Sequence, residues 1–106
     1  MEKYQENFHL QIYHNKDRQR FEMDLKNGNY AYLEYRWSGK SLATMHIEVS
    51  EEMRHKGIAE SIANYVLEFA KREQVTIKPF CPYITSYIDR NPQYRSLIEA
   101  SFRPLS

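Results

Sequence analysis

A chain of 106 residues with 42% hydrophobic and 27% charged side chains, and only 3 Gly and 4 Pro, has the composition of a single compact globular domain, residues 1–106. Fifteen Lys and Arg against fourteen Asp and Glu leave a formal charge of +1, which gives no concentrated basic face for nucleic acid. There is no run of about 18 apolar residues, and Met1 to Asn7 is polar and mixed in charge, so neither a membrane span nor a secretory leader is expected and a cytoplasmic protein is the default.

The first half reads as a meander of strands, because apolar and polar residues alternate between closely spaced turn signals. Phe8, Leu10 and Ile12 share one parity; after Asn15-Lys16-Asp17, Phe21, Met23 and Leu25 share another. Asn27-Gly28-Asn29 is the strongest hairpin signal, since Asn and Gly tolerate the positive φ of tight turns. A third strand is predicted from Tyr30 to Trp37, a turn at Ser38-Gly39-Lys40, and a fourth strand from Ser41 to Val49 with Met45, Ile47 and Val49 on one face. Leu42 has the wrong parity for that face, the pattern a β-bulge produces.

From Gly57 the period becomes helical. Ile58, Ile62, Val66, Phe69 and Ala70 form an apolar stripe that predicts one long helix ending near Glu73. Val75-Thr76-Ile77 suits a fifth strand, parallel to the fourth across the helical crossover. Pro79-Phe80-Cys81-Pro82 ends regular structure, Ile84 to Arg90 is predicted as a short helix stopped by Asn91-Pro92, and Gln93 to Ser106 carries no clear pattern.

The chemistry is concentrated between the fourth strand and the long helix, in Val49-Ser50-Glu51-Glu52-Met53-Arg54-His55-Lys56-Gly57-Ile58-Ala59. A helix N-terminus presents unpaired N–H groups and a positive dipole end, and Gly57 and Ala59 lack the bulk that would keep a phosphate from the backbone. Arg54, His55 and Lys56 add positive groups. The plain alternative is a solvated basic loop with a glycine easing the turn.

Arg-x-x-Gly-x-Ala between a strand and an amphipathic helix resembles the acyl-coenzyme A motif of the Gcn5-related N-acetyltransferases (GNAT superfamily). Met45-His46-Ile47-Glu48-Val49 before it, and Pro79-Phe80-Cys81-Pro82-Tyr83-Ile84 and Arg90-Asn91-Pro92-Gln93-Tyr94 after it, sharpen the likeness. Together they resemble the small single-domain, N-acetyltransferase domain-containing protein 1-like branch, over roughly Phe21 to Ile98. The resemblance implies a mixed α/β (α+β) fold: a twisted, mostly antiparallel sheet, one long helix after strand 4, a parallel strand 4/strand 5 pair that splays apart, and a short C-terminal helix. It implies acetyl-coenzyme A as acyl donor, with the backbone of His55, Lys56, Gly57, Ile58 and Ala59 holding the pyrophosphate and Arg54 opening the loop. The backbone of Ile47 and Val49 would then bind the pantetheine arm, and Asn91 either touches the cofactor or only caps the short helix.

In this branch Cys81 resembles a catalytic residue, as covalent nucleophile or as proton donor to the departing thiolate; beside Pro82, a favoured first helical residue, its thiol would lie near a helix N-terminus. A small buried residue is the plain alternative, because free cysteines are among the most buried side chains. His46 resembles a general base, against the commoner hydrogen-bonded structural histidine. Tyr83 and Tyr87 could bond the thiolate or line the acceptor site, although the chain has 9 tyrosines. Glu48 and Glu51 are further possible bases, with solvated surface as their alternative. Cys81 is the single cysteine, and the histidines at 9, 14, 46 and 55 lack metal-ligand spacing, so no metal is expected.

Most Gcn5-related enzymes carry two helices between their first two strands. Only eight residues separate Ile12 from Phe21 here, too few for a helix pair, so the acceptor side is open or completed by another copy of the chain. The expected activity is transfer of an acetyl group to a primary amine by a monomer or weak homodimer. The rivals are a non-catalytic acyl-coenzyme A binding module and a protein-interaction domain whose Tyr30, Tyr32, Tyr35 and Trp37 form one adhesive face.

Overall fold

The computed structural model describes residues 11–102. Five strands lie in chain order across one sheet: β1 (Tyr13–Asn15), β2 (Arg20–Asp24), β3 (Tyr30–Ser38), β4 (Ser41–Val49) and β5 (Thr76–Pro79). The first three pairings are antiparallel and β4–β5 is parallel, joined through helix α1 (Ile58–Glu73); helix α2 (Pro82–Arg90) follows β5. This is the mixed α/β arrangement expected, with the long helix after the fourth strand and the parallel pair at the end.

The turns follow from local chemistry. Asn27 (φ 61°) and Gly28 (φ 76°) both occupy the left-handed region between β2 and β3, as the Asn-Gly pair predicts. Gly39 (φ 62°) turns β3 into β4. Between β1 and β2 the Asn15 side-chain oxygen accepts the Arg18 N–H at 3.1 Å, closing the turn. The first strand differs from the expected one: β1 begins at Tyr13, after the buried Ile12, and Phe8 and Leu10 lie outside the described residues.

The bulge is present, and it corrects the predicted face. Glu34 stands opposite His46 and Tyr35 opposite Thr44, so Met45 is the extra residue of β4. Met45 is 42% exposed rather than packed with Ile47 and Val49. The core face of β4 therefore runs through Leu42 and Thr44, then changes phase to Ile47 and Val49. The same parity separates the four aromatic residues of β3: Tyr35 lies buried on the core face, Trp37 on that face near its rim, and Tyr30 and Tyr32 on the other, so they do not form one adhesive surface.

Helix α1 buries Ile58, Ile62, Ala63, Val66, Leu67 and Ala70 against the sheet. It ends at Gln74 in the left-handed region, where the Val75 N–H returns to the Ala70 carbonyl at 3.0 Å, a capping geometry usually given to glycine. β5 runs beyond the expected Val75–Ile77, because Pro79 ends the parallel pairing opposite Thr44, where no ladder N–H is required of it. α2 begins earlier than expected, with Pro82 at its first turn, and the tail folds as a 3₁₀ segment (Pro92–Leu97) before Ile98 bridges to Ile77.

An aromatic cluster closes the β1 side of the core. Phe21 stacks on His14 with centroids 4.3 Å apart and meets Tyr35, Tyr65 and Phe69 edge-on or tilted, while the His14 Nε2 and the Tyr35 hydroxyl share a hydrogen bond. Burial lowers the His14 pKa from its ordinary 6.5, and Lys16 lowers it further. The unfolded chain thus binds this proton more tightly than the folded one, so His14 makes stability rise with pH through the window below 6.5 and fall as that window is entered from above. Urea midpoints at pH 7.5 and pH 5.5 should differ more in the wild type than in His14→Gln; equal pH dependence would contradict the assignment.

Candidate active site

β4 and β5 stay paired from Ser41–Thr76 to Thr44–Pro79 and then part. At the parting point the Cys81 N–H donates to the Thr44 carbonyl at 2.8 Å. Beyond it, His46–Val49 pairs with β3 and, among the described residues, with no strand on its other side. The expected splay is therefore present, and the proline-bearing end of β5 that leads into α2 creates it.

The ladder phase decides which backbone groups face the opening. The Ser50 N–H donates to the Tyr30 carbonyl at 2.9 Å, and antiparallel hydrogen bonding alternates, so Glu48 and His46 direct their peptide groups at β3 while Ile47 and Val49 direct theirs away. Without the bulge at Met45 the phase would be reversed. The Val49 carbonyl confirms this outward direction, because it accepts the Arg54 Nε at 3.0 Å.

The Arg54 guanidinium folds back on β4, with one terminal nitrogen 3.9 Å from a Glu48 oxygen. His55 and Lys56 are exposed in the loop. His55 (φ 64°) and Gly57 (φ 83°) are both left-handed, and a non-glycine residue held there stores about 1 kcal/mol or more. Gly57 is the N-cap of α1 and offers no side chain, so the first N–H groups of the helix, from Ile58 and Ala59 onward, have no side-chain cap. The first turn thus keeps its positive end uncovered beside the open edge of β4.

Cys81 is the N-cap of α2, 3% exposed, and part of the hydrophobic core cluster. Thr44 beside it is fully buried, and its hydroxyl is the one buried side-chain polar atom without a partner among the described residues. Sequence reading passed over Thr44; the parity break at Leu42 was the signal that could have turned it inward.

His46 lies on the sheet face opposite Ile47 and Val49, with its side chain 54% exposed. Its Nε2 meets Glu48 Oε1 at 2.9 Å, its ring stands edge-on to Tyr32 at 6.3 Å, and Glu34 faces it across β3. Glu48 is therefore a partner of His46, whereas Glu51 is an exposed residue of the 3₁₀ turn Glu51–Met53. The structure brings His46, Glu48 and Arg54 into one chain of contacts and places Cys81 with Thr44 at the parting of the strands.

Tyr83 is half-buried against the core, with Arg90 5.9 Å from its ring centre. Tyr87 is buried and accepts a bond from Asn64 Nδ2 at 3.3 Å; the same amide donates to the Tyr94 hydroxyl at 2.9 Å, and Tyr94 donates to Glu68. Burial and the Glu68 carboxylate raise the Tyr94 pKa, holding that hydroxyl protonated as the bolt between α1 and the 3₁₀ tail. Asn91 makes the bonds of a helix stop: its side-chain amide donates to the Tyr87 carbonyl at 2.9 Å and its N–H to the Ile88 carbonyl at 3.0 Å. Among the described residues, no helix is long and apolar enough to cross a membrane.

Comparison with known proteins agrees with this geometry. Protein NATD1 of Gallus gallus is 34% identical over 86 residues, covering 78% of this chain and 77% of that protein, and the Mus musculus and Danio rerio proteins are each 33% identical over the same length and shares. A GCN5-like protein from Staphylococcus aureus, solved by NMR in solution, superposes with a TM-score of 0.66 over 92% of both chains at 20% identity, which shows a shared fold. The family model for GCN5-related N-acetyl-transferases matches residues 20–97, from β2 through the splay to the tail. With that match and the NATD1 relatives, the chain belongs to the GCN5-related N-acetyl-transferase family.

Proposed function

We propose that this protein binds acetyl-coenzyme A between β4 and β5 and transfers the acetyl group to a primary amine. The observation that carries the reading is the open edge of β4: the outward peptide groups of Ile47 and Val49 lead directly into the left-handed loop and uncapped N-terminus of α1. Bound acetyl-coenzyme A supplies the thioester. The N–H groups from His55 to Ala59, with Lys56, hold its diphosphate, and Arg54 leaves the Val49 carbonyl to join them. Ile47 and Val49 orient the arm, and one well-aimed donor at the thioester oxygen is worth roughly 3 kcal/mol in the transition state. The unpartnered Thr44 hydroxyl supports the fit, because a polar arm entering the splay brings acceptors to its neighbourhood.

His46 acts as the base for the amine, Cys81 as nucleophile or proton donor, and Tyr83 as a wall of the acceptor side. Asn91 contributes by fixing the end of α2.

Acetylation of n-butylamine by acetyl-coenzyme A tests the activity. The wild type should exceed the uncatalysed rate, and His46→Ala should lose about tenfold or more. Intact mass tests the covalent route: a gain of one acetyl group that Cys81→Ala abolishes makes Cys81 a nucleophile, and no gain leaves direct transfer to the amine. Cofactor binding without any amine acetylation would replace this reading with a non-catalytic acyl-coenzyme A binding module.

A further inference from the structure

We propose that Glu48 is a positioning residue that holds the His46 proton on Nε2, so that Nδ1 is the nitrogen that receives the proton of the incoming amine. The inference rests on the acetyltransferase reading for the second half of that statement; the first half stands on geometry alone. Spacing of two along β4 puts both side chains on the face away from α1, and Glu48 Oε1 lies 2.9 Å from His46 Nε2. An ionised carboxylate has only acceptor sites, so Nε2 must carry the hydrogen and the lone pair of the neutral ring resides on Nδ1. Among the described residues no hydrogen bond engages Nδ1.

The other charged and titratable groups around the ring do not compete for that role. Glu34 faces His46 across the sheet, but its Oε2 accepts Arg36 at 3.0 Å. Tyr32 offers a ring edge contact, and its own face is covered by the Arg20 guanidinium at 3.9 Å. Arg54 lies 3.9 Å from the second oxygen of Glu48, which leaves Oε1 to the imidazole. Glu48 thereby connects the cofactor loop, through Arg54, to the ring of His46.

In the reaction the amine nitrogen forms its bond to the thioester carbon and one N–H proton passes to Nδ1. The carbon–sulfur bond breaks, its electron pair leaves on the coenzyme A sulfur, and that thiolate takes up a proton from water, or from Cys81, which solvent then reprotonates. The imidazolium formed is stabilised by the Glu48 carboxylate at Nε2, and it returns its extra proton to solvent.

Two readouts test the assignment. Long-range ¹H–¹⁵N correlation of the free, uniformly labelled chain at pH 8.5 should show His46 with a protonated Nε2 and an unprotonated Nδ1. In Glu48→Ala, and in Glu48→Gln, whose amide donates as readily as it accepts, the two tautomers should mix. A wild-type ring protonated on Nδ1, or an unchanged ring in both variants, would overturn the proposal. With n-butylamine as acceptor, Glu48→Ala should lower kcat roughly tenfold with KM for acetyl-coenzyme A within about twofold, and should add nothing in a His46→Ala background. Additive losses would place Glu48 in a separate role and overturn the positioning claim. No acetylation by the wild type would remove the base role along with the acetyltransferase reading, while the tautomer would still be decided by the spectra of the free protein.

Discussion

Gly57→Glu should weaken coenzyme A binding by at least about 100-fold in calorimetric titration, while the protein remains folded. Two effects act together. Any side chain at φ 83° is strained by roughly 1–2 kcal/mol, which distorts the N-cap of α1. A carboxylate there also meets the diphosphate: two unit charges about 4 Å apart repel by roughly 4 kcal/mol at an effective dielectric of 20, beyond the 2.7 kcal/mol that corresponds to a 100-fold change. Gly57→Ala separates the two effects, because it keeps the strain without the charge, and should weaken binding much less than Gly57→Glu. An affinity for Gly57→Glu within threefold of the wild type would remove the loop from the cofactor site.

Phe21→Ala should cost about 3–5 kcal/mol of folding stability, the range for truncating a large buried aromatic residue that leaves a cavity. Phe21 is fully buried, lies opposite Leu33 in the sheet, and contacts rings from β1, β3 and α1 at once: His14, Tyr35, Tyr65 and Phe69. Neighbours on three elements cannot collapse into the gap together, which favours the upper half of the range. At roughly 4 °C or more per kcal/mol for a domain of this size, the melting midpoint followed by circular dichroism should fall by about 12 °C or more. A fall of only a few degrees would show that the aromatic cluster packs loosely and that the core is centred elsewhere.

Helix α1 was legible because its apolar stripe, its N-terminal glycine and the change to the β-branched Val75-Thr76-Ile77 after Gln74 agree on its limits, and Asn27-Gly28 fixed the β2–β3 turn for the same local reason. The bulge was legible only as a parity break. Which residue it expels depends on the β3 residues opposite, and that cross-strand register put Met45 outside and Thr44 inside. The splay depends on Pro79, whose position as the last paired residue of β5 is set by the tertiary pairing with Thr44.

The site divides along the same line. Gly57 and the loop could be read from the chain, because a helix N-terminus is a local feature. The spacing of His46 and Glu48 puts them on one face, but their hydrogen bond, like the return of Arg54 onto Val49 and Glu48, is a side-chain choice that no spacing encodes. Tyr87 was readable as an aromatic near the site, but its bond to Asn64 exists only because α1 and α2 pack together.

Titration of the ¹⁵N-labelled protein with coenzyme A, followed residue by residue in amide spectra, tests the central claim most directly. The largest shifts should fall on Gly57, Ile58 and Ala59 together with Ile47 and Val49, whose amides face the opening, while Tyr13, Asn15 and Glu22 on the far part of the sheet stay unmoved. Shifts confined to the sheet face that carries Tyr30 and Tyr32, or no shifts at millimolar coenzyme A, would contradict a cofactor site between β4 and β5.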